Sequence, residues 1–93
     1  MANKIIRVEL KGSPSGETYQ TLHALMKAKG WSQSIPYANG TKSTELPHAM
    51  YQGDSDDKCS VVAESLRDEI STTIWTKPIV MVIEWSAWAI RSA

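Results

Sequence analysis

Apolar and polar residues alternate along the first segment of the chain, residues 4–11, and this period of two predicts a β-strand. One side of the strand is apolar and the other polar: the two sets are Ile6, Val8 and Leu10, and Arg7, Glu9 and Lys11. The next segment, residues 17–29, has the apolar period of a helix. Its apolar residues are Tyr19, Leu22, Leu25 and Met26. Ser15 or Gly16 caps its start, and Gly30 ends it because glycine readily adopts the left-handed conformation.

The middle of the chain has shorter patterns. Residues 31–35 alternate again and predict a short second strand, which Pro36 ends because proline has no backbone N–H to donate. Residues 37–47 are mostly polar, carry an Asn-Gly turn signal at 39–40, and are predicted to form a long connection. Residues 49–53 are predicted to form a short third strand.

A second amphipathic helix is the clearest helical pattern in the chain. Its apolar stripe consists of Cys59, Val62, Ala63, Leu66 and Ile70. Residues 54–57, Asp-Ser-Asp-Asp, are predicted to cap this helix and to place carboxylates in its first turn, at the positive end of the helix dipole. Residues 71–73 end it, and Pro78 precedes a last strand over residues 79–90.

The resulting order, βαββαβ, predicts an α+β fold in one domain over residues 1–93. Because β-α-β crossovers are right-handed, a ferredoxin-like sandwich is the expected arrangement, with both helices on one face of an antiparallel sheet. The first strand is central in this topology, and its polar side lies on the open sheet face.

The last strand is apolar on both faces at its start. Val80 and Val82 point to one side, and the opposite side carries Ile79, Met81 and Ile83. A two-layer monomer leaves part of this surface uncovered, so we expect a homodimer through the open sheet face or the last strand. Trp85 and Trp88 lie on opposite faces of the strand, where an exposed indole can stack on a base or join the dimer contact.

The composition excludes several classes of protein. Ten basic and ten acidic residues give a net charge of zero, so the overall charge does not indicate a polyanionic partner. Cys59 is the sole cysteine and cannot form an internal disulfide, and no apolar signal segment follows Met1. The longest apolar run, residues 79–83, is too short to span a bilayer. We therefore expect a cytoplasmic protein with no membrane association.

Two histidines carry the candidate chemistry. His23 lies beside the apolar stripe of the first helix, where it is either a boundary residue or an acid or base near neutral pH. His48 follows Pro47 at the start of the third strand. The two histidines form a candidate pair for phosphodiester cleavage, or else they are unrelated residues that composition alone explains.

Metal and cofactor sites are not predicted. Asp54, Asp56 and Asp57 lack the glycine and glutamate that follow in an EF-hand, so capping explains them better. Residues 12–16 contain glycine but lack the lysine of a phosphate-binding loop. Cys59 lies on the apolar stripe of its helix and is expected to be a buried, inert thiol.

Several segments together resemble the GhoS-type (type V) antitoxin family, small bacterial proteins with a ferredoxin-like fold related to the Cas2 nucleases. They are Leu-His-Ala-Leu-Met at 22–26, Gly-Trp-Ser-Gln-Ser-Ile at 30–35, Gly40, and Leu46 ahead of a strand and a helix. The resemblance covers residues 6–70. It implies an endoribonuclease or RNA-binding protein that acts on the messenger RNA of a membrane toxin.

The resemblance carries over to particular residues only in part. Cas2-like nucleases hold a metal with an aspartate after the first strand, where this chain has Leu10, Lys11 and Gly12. Metal-free cleavage instead needs a base, an acid and a cation. The expected catalytic residues are His23 and His48, and the expected cation near the phosphorane is Arg7 or Lys11.

Single-stranded RNA is the expected partner. The candidate RNA-binding residues are Arg7, Lys11, Lys27 and Lys29. The alternative is a non-enzymatic homodimeric association module. A basic cluster of these four residues favours the first hypothesis, whereas a flat apolar patch around Val80, Val82 and Trp88 favours the second.

Overall fold

The computed structural model describes residues 2–12, 14–36, 43–46 and 48–86 of the 93-residue chain. Its elements in order are β1 (Ala2–Leu10), α1 (Gly16–Ala28), β2 (Ser34–Pro36), β3 (Ser43–Glu45), β4 (Met50–Ser55), α2 (Cys59–Thr73) and β5 (Pro78–Glu84). The predicted first strand and both predicted helices are therefore confirmed. The start of α1 is capped by Ser15, whose Oγ accepts a hydrogen bond from the backbone N–H of Thr18.

The main sheet has three antiparallel strands in the order β4-β1-β5, with β1 at its centre as predicted. Ile6 on β1 lies between Tyr51 on β4 and Val82 on β5. Together with the two helices, this sheet makes the protein an α+β fold, and its strand order is compatible with a ferredoxin-like arrangement.

The predicted second strand, residues 31–35, does not form as expected. At the outer edge of β4 a single bridge joins Ser32 to Gln52, with backbone hydrogen bonds of 2.8 and 2.7 Å. The ladder stops there because the N–H of Ser34 donates to Oγ of Ser32 instead of to β4. The chain then turns away, and β2 pairs with β3 in a separate two-stranded sheet.

The predicted connection over residues 37–47 is wrong at 43–45, which form β3. The turn signal at 39–40 lies outside the described residues. The third predicted strand, residues 49–53, is observed as β4 but begins one residue later and extends to Ser55.

This extension of β4 also explains why the predicted cap of α2 is wrong. Asp54 belongs to the strand, and the N-cap of α2 is Lys58, which makes no side-chain capping bond. Oγ of Ser55 accepts a hydrogen bond from the N–H of Asp57 before the helix begins. Cys59, the first helical residue, is half-buried, whereas the apolar stripe predicted a buried thiol.

The core lies between the sheet and the helices. Its buried residues come from β1, both helices and β4: Ile6, Val8, Leu10, Leu22, Met26, Tyr51, Val62, Leu66 and Ile70. Residues of both helices pack on the even-numbered side of β1, so the predicted common core of the two helices and β1 is confirmed. Lys4 is also on this side and is 1% exposed, with its ammonium donating to the carbonyl oxygen of Ser55 at 2.7 Å.

The other side of β1 is the open sheet face, where Arg7 and Glu9 are exposed and Ile5 is buried, at 6% exposure. On β5 the exposed apolar residues are Ile79, Met81 and Ile83, at 45%, 52% and 45%. Val80 and Val82 pack against the core, so the prediction of an apolar surface patch around these two residues is wrong. The exposed apolar residues of β5 are the three on its other side. β5 ends at Glu84, so the predicted strand is wrong at residues 85–86, and its predicted end, residues 87–90 with Trp88, lies outside the described residues. No helix in the described ranges is long and apolar enough to cross a membrane.

Candidate active site

Four ring side chains meet at the edge of the core, and we call them the histidine–tyrosine cluster: Tyr19, His23, His48 and Tyr51. The centroids of the two imidazole rings are 5.8 Å apart, at nearly right angles. The ring of Tyr19, one helical turn before His23, packs edge-on to His48 at 4.6 Å. Nδ1 of His23 is 2.5 Å from the phenolic oxygen of Tyr51. The fold therefore brings together the two histidines that the sequence separates by 25 positions.

The turn before β4 positions His48. Ala49 is buried and has a φ of 58°, in the left-handed region. Its carbonyl oxygen accepts a hydrogen bond from the N–H of Val8 at 3.0 Å, which ties the turn to the central strand. This tight, anchored turn holds the exposed ring of His48 against α1.

Burial sets the protonation states within the cluster. Desolvation, and then the charge of His48, lower the pKa of His23 below its ordinary value. Desolvation, and then Tyr19, raise the pKa of Tyr51 well above its ordinary value. At neutral pH His23 is therefore neutral and Tyr51 is a protonated phenol.

The hydrogen bond between these two side chains determines the chemistry available to His23. When Nδ1–H of His23 donates to the phenolic oxygen, the lone pair on Nε2 is free to accept a proton. When the phenol donates instead, neutral His23 carries its proton on Nε2. The first tautomer is that of a general base.

His23 also lines a cleft of about 440 Å³. Lys27, one helical turn further along α1, lines the same cleft. The remaining lining residues are Gly30, Trp31, Ser32, Gln33 and Ser34. A titratable ring and an exposed ammonium thus share one concave surface, which is the arrangement that acid–base chemistry on an anion requires.

The other three candidate basic residues lie elsewhere. Lys29 forms an ion pair with Glu69, at 2.5 Å between Nζ and Oε1, and so links α1 to α2. Arg7 projects from the open sheet face, opposite the side occupied by Tyr51. Lys11 follows β1, and its carbonyl oxygen accepts a hydrogen bond from the indole of Trp75. The four basic residues are thus distributed over different surfaces, so the predicted basic cluster does not form. Neither Arg7 nor Lys11, the expected cations, lines the cleft of His23.

Within the described ranges, no three histidine, cysteine, aspartate or glutamate residues are placed to hold a metal ion. The metal-free mechanism stays a prediction.

Sequence reasoning did not single out Tyr51 or Trp31 as functional residues. Tyr51 follows His48 by three positions, but its contact with His23 depends on how β4 packs under α1. The apolar pattern places Tyr19 only in the stripe of α1, although Tyr19 is four residues before His23 and therefore on the same helical face. A comparison of the chain with protein-family models, with curated proteins and with solved structures gives no significant match.

Proposed function

We propose that this protein is a GhoS-like antitoxin with a ferredoxin-like fold that cleaves toxin messenger RNA in the cytoplasm without a metal ion. The observation that supports the proposal is the imidazole pair of His23 and His48, 5.8 Å apart between centroids, beside a cleft that Lys27 also lines. Two imidazoles at this separation can reach one phosphodiester group, and a nearby ammonium favours its negative charge.

In the proposed reaction, Nε2 of His23 takes the proton from a ribose 2′-hydroxyl. The 2′-oxygen attacks the adjacent phosphorus, and the bond between phosphorus and the 5′-oxygen breaks. His48, in its protonated form, gives a proton to the departing 5′-oxygen. The products are a 2′,3′-cyclic phosphate and a 5′-hydroxyl, and Lys27 stabilises the charge of the phosphorane between them.

The lowered pKa of His23 supports its assignment as the base, because a base must be neutral when substrate binds. The exposed position of His48 suits a group that exchanges its proton with solvent between turnovers. Tyr51 is a positioning residue in this mechanism, since it touches His23 and is fully buried.

The test is incubation of the purified chain with single-stranded RNA in EDTA, followed by mapping of the product ends. We expect restricted cleavage with cyclic phosphate ends, and a rate lowered ~10²-fold or more by His23→Ala or His48→Ala. Lys27→Ala is expected to lower the rate as well, because Lys27 stabilises the phosphorane. Lys77→Ala is its matched control, because Lys77 is exposed in the turn before β5. Cleavage that persists at the same rate in the double histidine variant contradicts the proposal. Binding without cleavage reduces it to an RNA-binding module.

A homodimeric association module is the second candidate, and the exposed apolar row on β5 supports it. Arg7 and Glu9 lie next to that row on the central strand, two residues apart. In a two-fold face-to-face dimer, Arg7 of one copy can meet Glu9 of the other, and the reverse pair forms by symmetry. The open face is therefore self-complementary in charge as well as apolar.

Sedimentation of the wild-type chain and of Met81→Lys decides this second candidate. Met81 is 52% exposed and lies outside the core, so the substitution tests association without disturbing folding. We expect a dimer mass for the wild type and a monomer mass for the variant. A monomer mass for both contradicts it.

A further inference from the structure

The lining of the cleft includes an aromatic residue that the proposed mechanism does not use. Trp31 directly follows Gly30, which ends α1 with a φ of 91°. The N–H of Trp31 donates to the carbonyl oxygen of Met26 at 2.9 Å, and this bond fixes the backbone at the exit of the helix.

The position of the indole is fixed from below by Gly53 on β4. A Cβ built on Gly53 would lie 2.6 Å from Cε3 and 2.9 Å from Cζ3 of Trp31. The six-membered ring of the indole therefore lies directly against a strand residue that has no side chain. The rest of the side chain remains partly exposed, so it is a rigid and accessible aromatic surface.

Trp31 lines a second groove as well as the cleft. The second groove has a volume of about 330 Å³ and runs between α2 and the end of β4. Its lining includes Lys29, Trp31, Ser55, Asp57 and Val61. Both volumes fall in the ~300–1,000 Å³ range of small-ligand sites, and the indole is the wall that they share.

We propose that Trp31 is a base-stacking platform for the nucleotide next to the cleaved phosphate, an inference that rests on the proposed cleavage of RNA in this cleft. Bases stack on aromatic side chains with little regard to sequence, because every base has a π-face. The platform requires an unstacked base, which a duplex does not offer, and so the substrate class is single-stranded RNA. His23 and Trp31 line the same cleft, so a base stacked on the indole and the attacked phosphate can occupy it together.

The test combines a protein change with an RNA change. Trp31→Ala is expected to raise KM about 5- to 150-fold, the range for loss of one stacked base, with a smaller effect on kcat. Trp31→Phe keeps a ring and is expected to retain most of the affinity. Trp75→Phe is the control, because its indole donates to the carbonyl oxygen of Lys11 outside the cleft.

An abasic nucleotide is then moved one position at a time along the RNA. We expect one position, adjacent to the cleaved bond, to raise KM as Trp31→Ala does, and the two changes together to be no worse than either alone. This non-additivity identifies the base that the indole holds. If Trp31→Ala fails to fold, the abasic scan still tests the platform, because it can be carried out on the wild-type chain and on Trp31→Phe.

The outcomes separate this inference from the proposed function. Additive effects of the two changes, or an unchanged KM in Trp31→Ala, overturn the platform while histidine-dependent cleavage still stands. Binding that depends on Trp31 and on one base, without cleavage that depends on the histidines, keeps the platform and overturns the catalytic mechanism. Preference for duplex RNA, or no RNA binding, overturns the platform.

Discussion

Nδ1 of His23 on α1 lies 2.5 Å from the phenolic oxygen of Tyr51 on β4. Tyr51 is fully buried, so this hydrogen bond connects an imidazole that lines a cleft to a side chain packed in the core. The imidazole ring is thereby held in one orientation, with Nε2 directed away from the bond. A base also has to be neutral when substrate binds, and desolvation, followed by the charge of His48, lowers the pKa of His23 in that direction.

Tyr51→Phe removes the phenolic oxygen and keeps the ring that fills the core. Loss of the hydrogen bond is expected to lower the free energy of unfolding by about 0.5–1.5 kcal/mol, measured by urea denaturation. The rate of RNA cleavage is expected to fall because the imidazole loses the bond that holds its orientation. Tyr19→Phe is the matched control, since its hydroxyl makes no hydrogen bond to any other described residue. A Tyr51→Phe variant with an unchanged pH–rate profile contradicts the positioning role.

Replacing His48 with Gln is expected to raise the pKa of His23, because the charge of His48 is one of the two causes that lower it. The pKa remains below the ordinary value of about 6.5 because desolvation, the larger cause, is unchanged. An NMR titration of the imidazole protons measures both values. An unchanged His23 pKa in the variant shows that the two rings do not interact as their 5.8 Å separation implies.

The lowered pKa of His23 also makes stability depend on pH. Below about 6.5 the unfolded chain binds a proton at His23 more readily than the folded chain, so protonation favours unfolding. This contribution to stability is complete above about 6.5 and is lost as the pH falls through the folded-state pKa. Urea denaturation across this range should show the loss in the wild type, and His23→Gln should remove that part of the dependence. Identical pH profiles for the two proteins contradict the assignment.

Leu66→Ala tests the common core. Leu66 is 4% exposed on α2, and truncation of a buried leucine costs about 2–5 kcal/mol. Val61→Ala is a control on the same helix, since Val61 is 50% exposed and should change the free energy of unfolding by about 0.5 kcal/mol or less. A cost below about 1 kcal/mol for Leu66→Ala is incompatible with the described packing.

Lys4 provides a test of a buried cation. Its ammonium donates to the carbonyl oxygen of Ser55 at 2.7 Å and lies 3.5 Å from a carboxylate oxygen of Glu84. Lys4→Ala should cost about 1.5–3 kcal/mol because a charged hydrogen bond is lost in the core. Glu84→Gln should cost about 0–1 kcal/mol, because Glu84 is 63% exposed and its ion pair is screened by water. Chemical denaturation measures both, and equal costs would show that the ion pair, rather than the carbonyl bond, holds Lys4.

The sequence alone predicted the elements whose signals are local. β1 alternates with a period of two, and both helices repeat their apolar residues with a period near 3.6. These periods depend on neighbouring residues only, and the same side of β1 and the same stripes on the helices form the observed core. The central position of β1 also followed, because the handedness of β-α-β crossovers leaves few arrangements for this order of elements.

The sequence by itself thus determined the α+β class, the two helices and the residues that face the core. Only the tertiary structure decided that β2 pairs with β3 instead of continuing along β4, because strand pairing joins residues that are not neighbours in the chain. Only the tertiary structure brought His23 to His48 and Tyr51, since contacts between residues far apart in the chain depend on the packing of a helix over a strand. A periodic pattern specifies which face of an element is buried, but it does not specify which side chains of another element that face will meet.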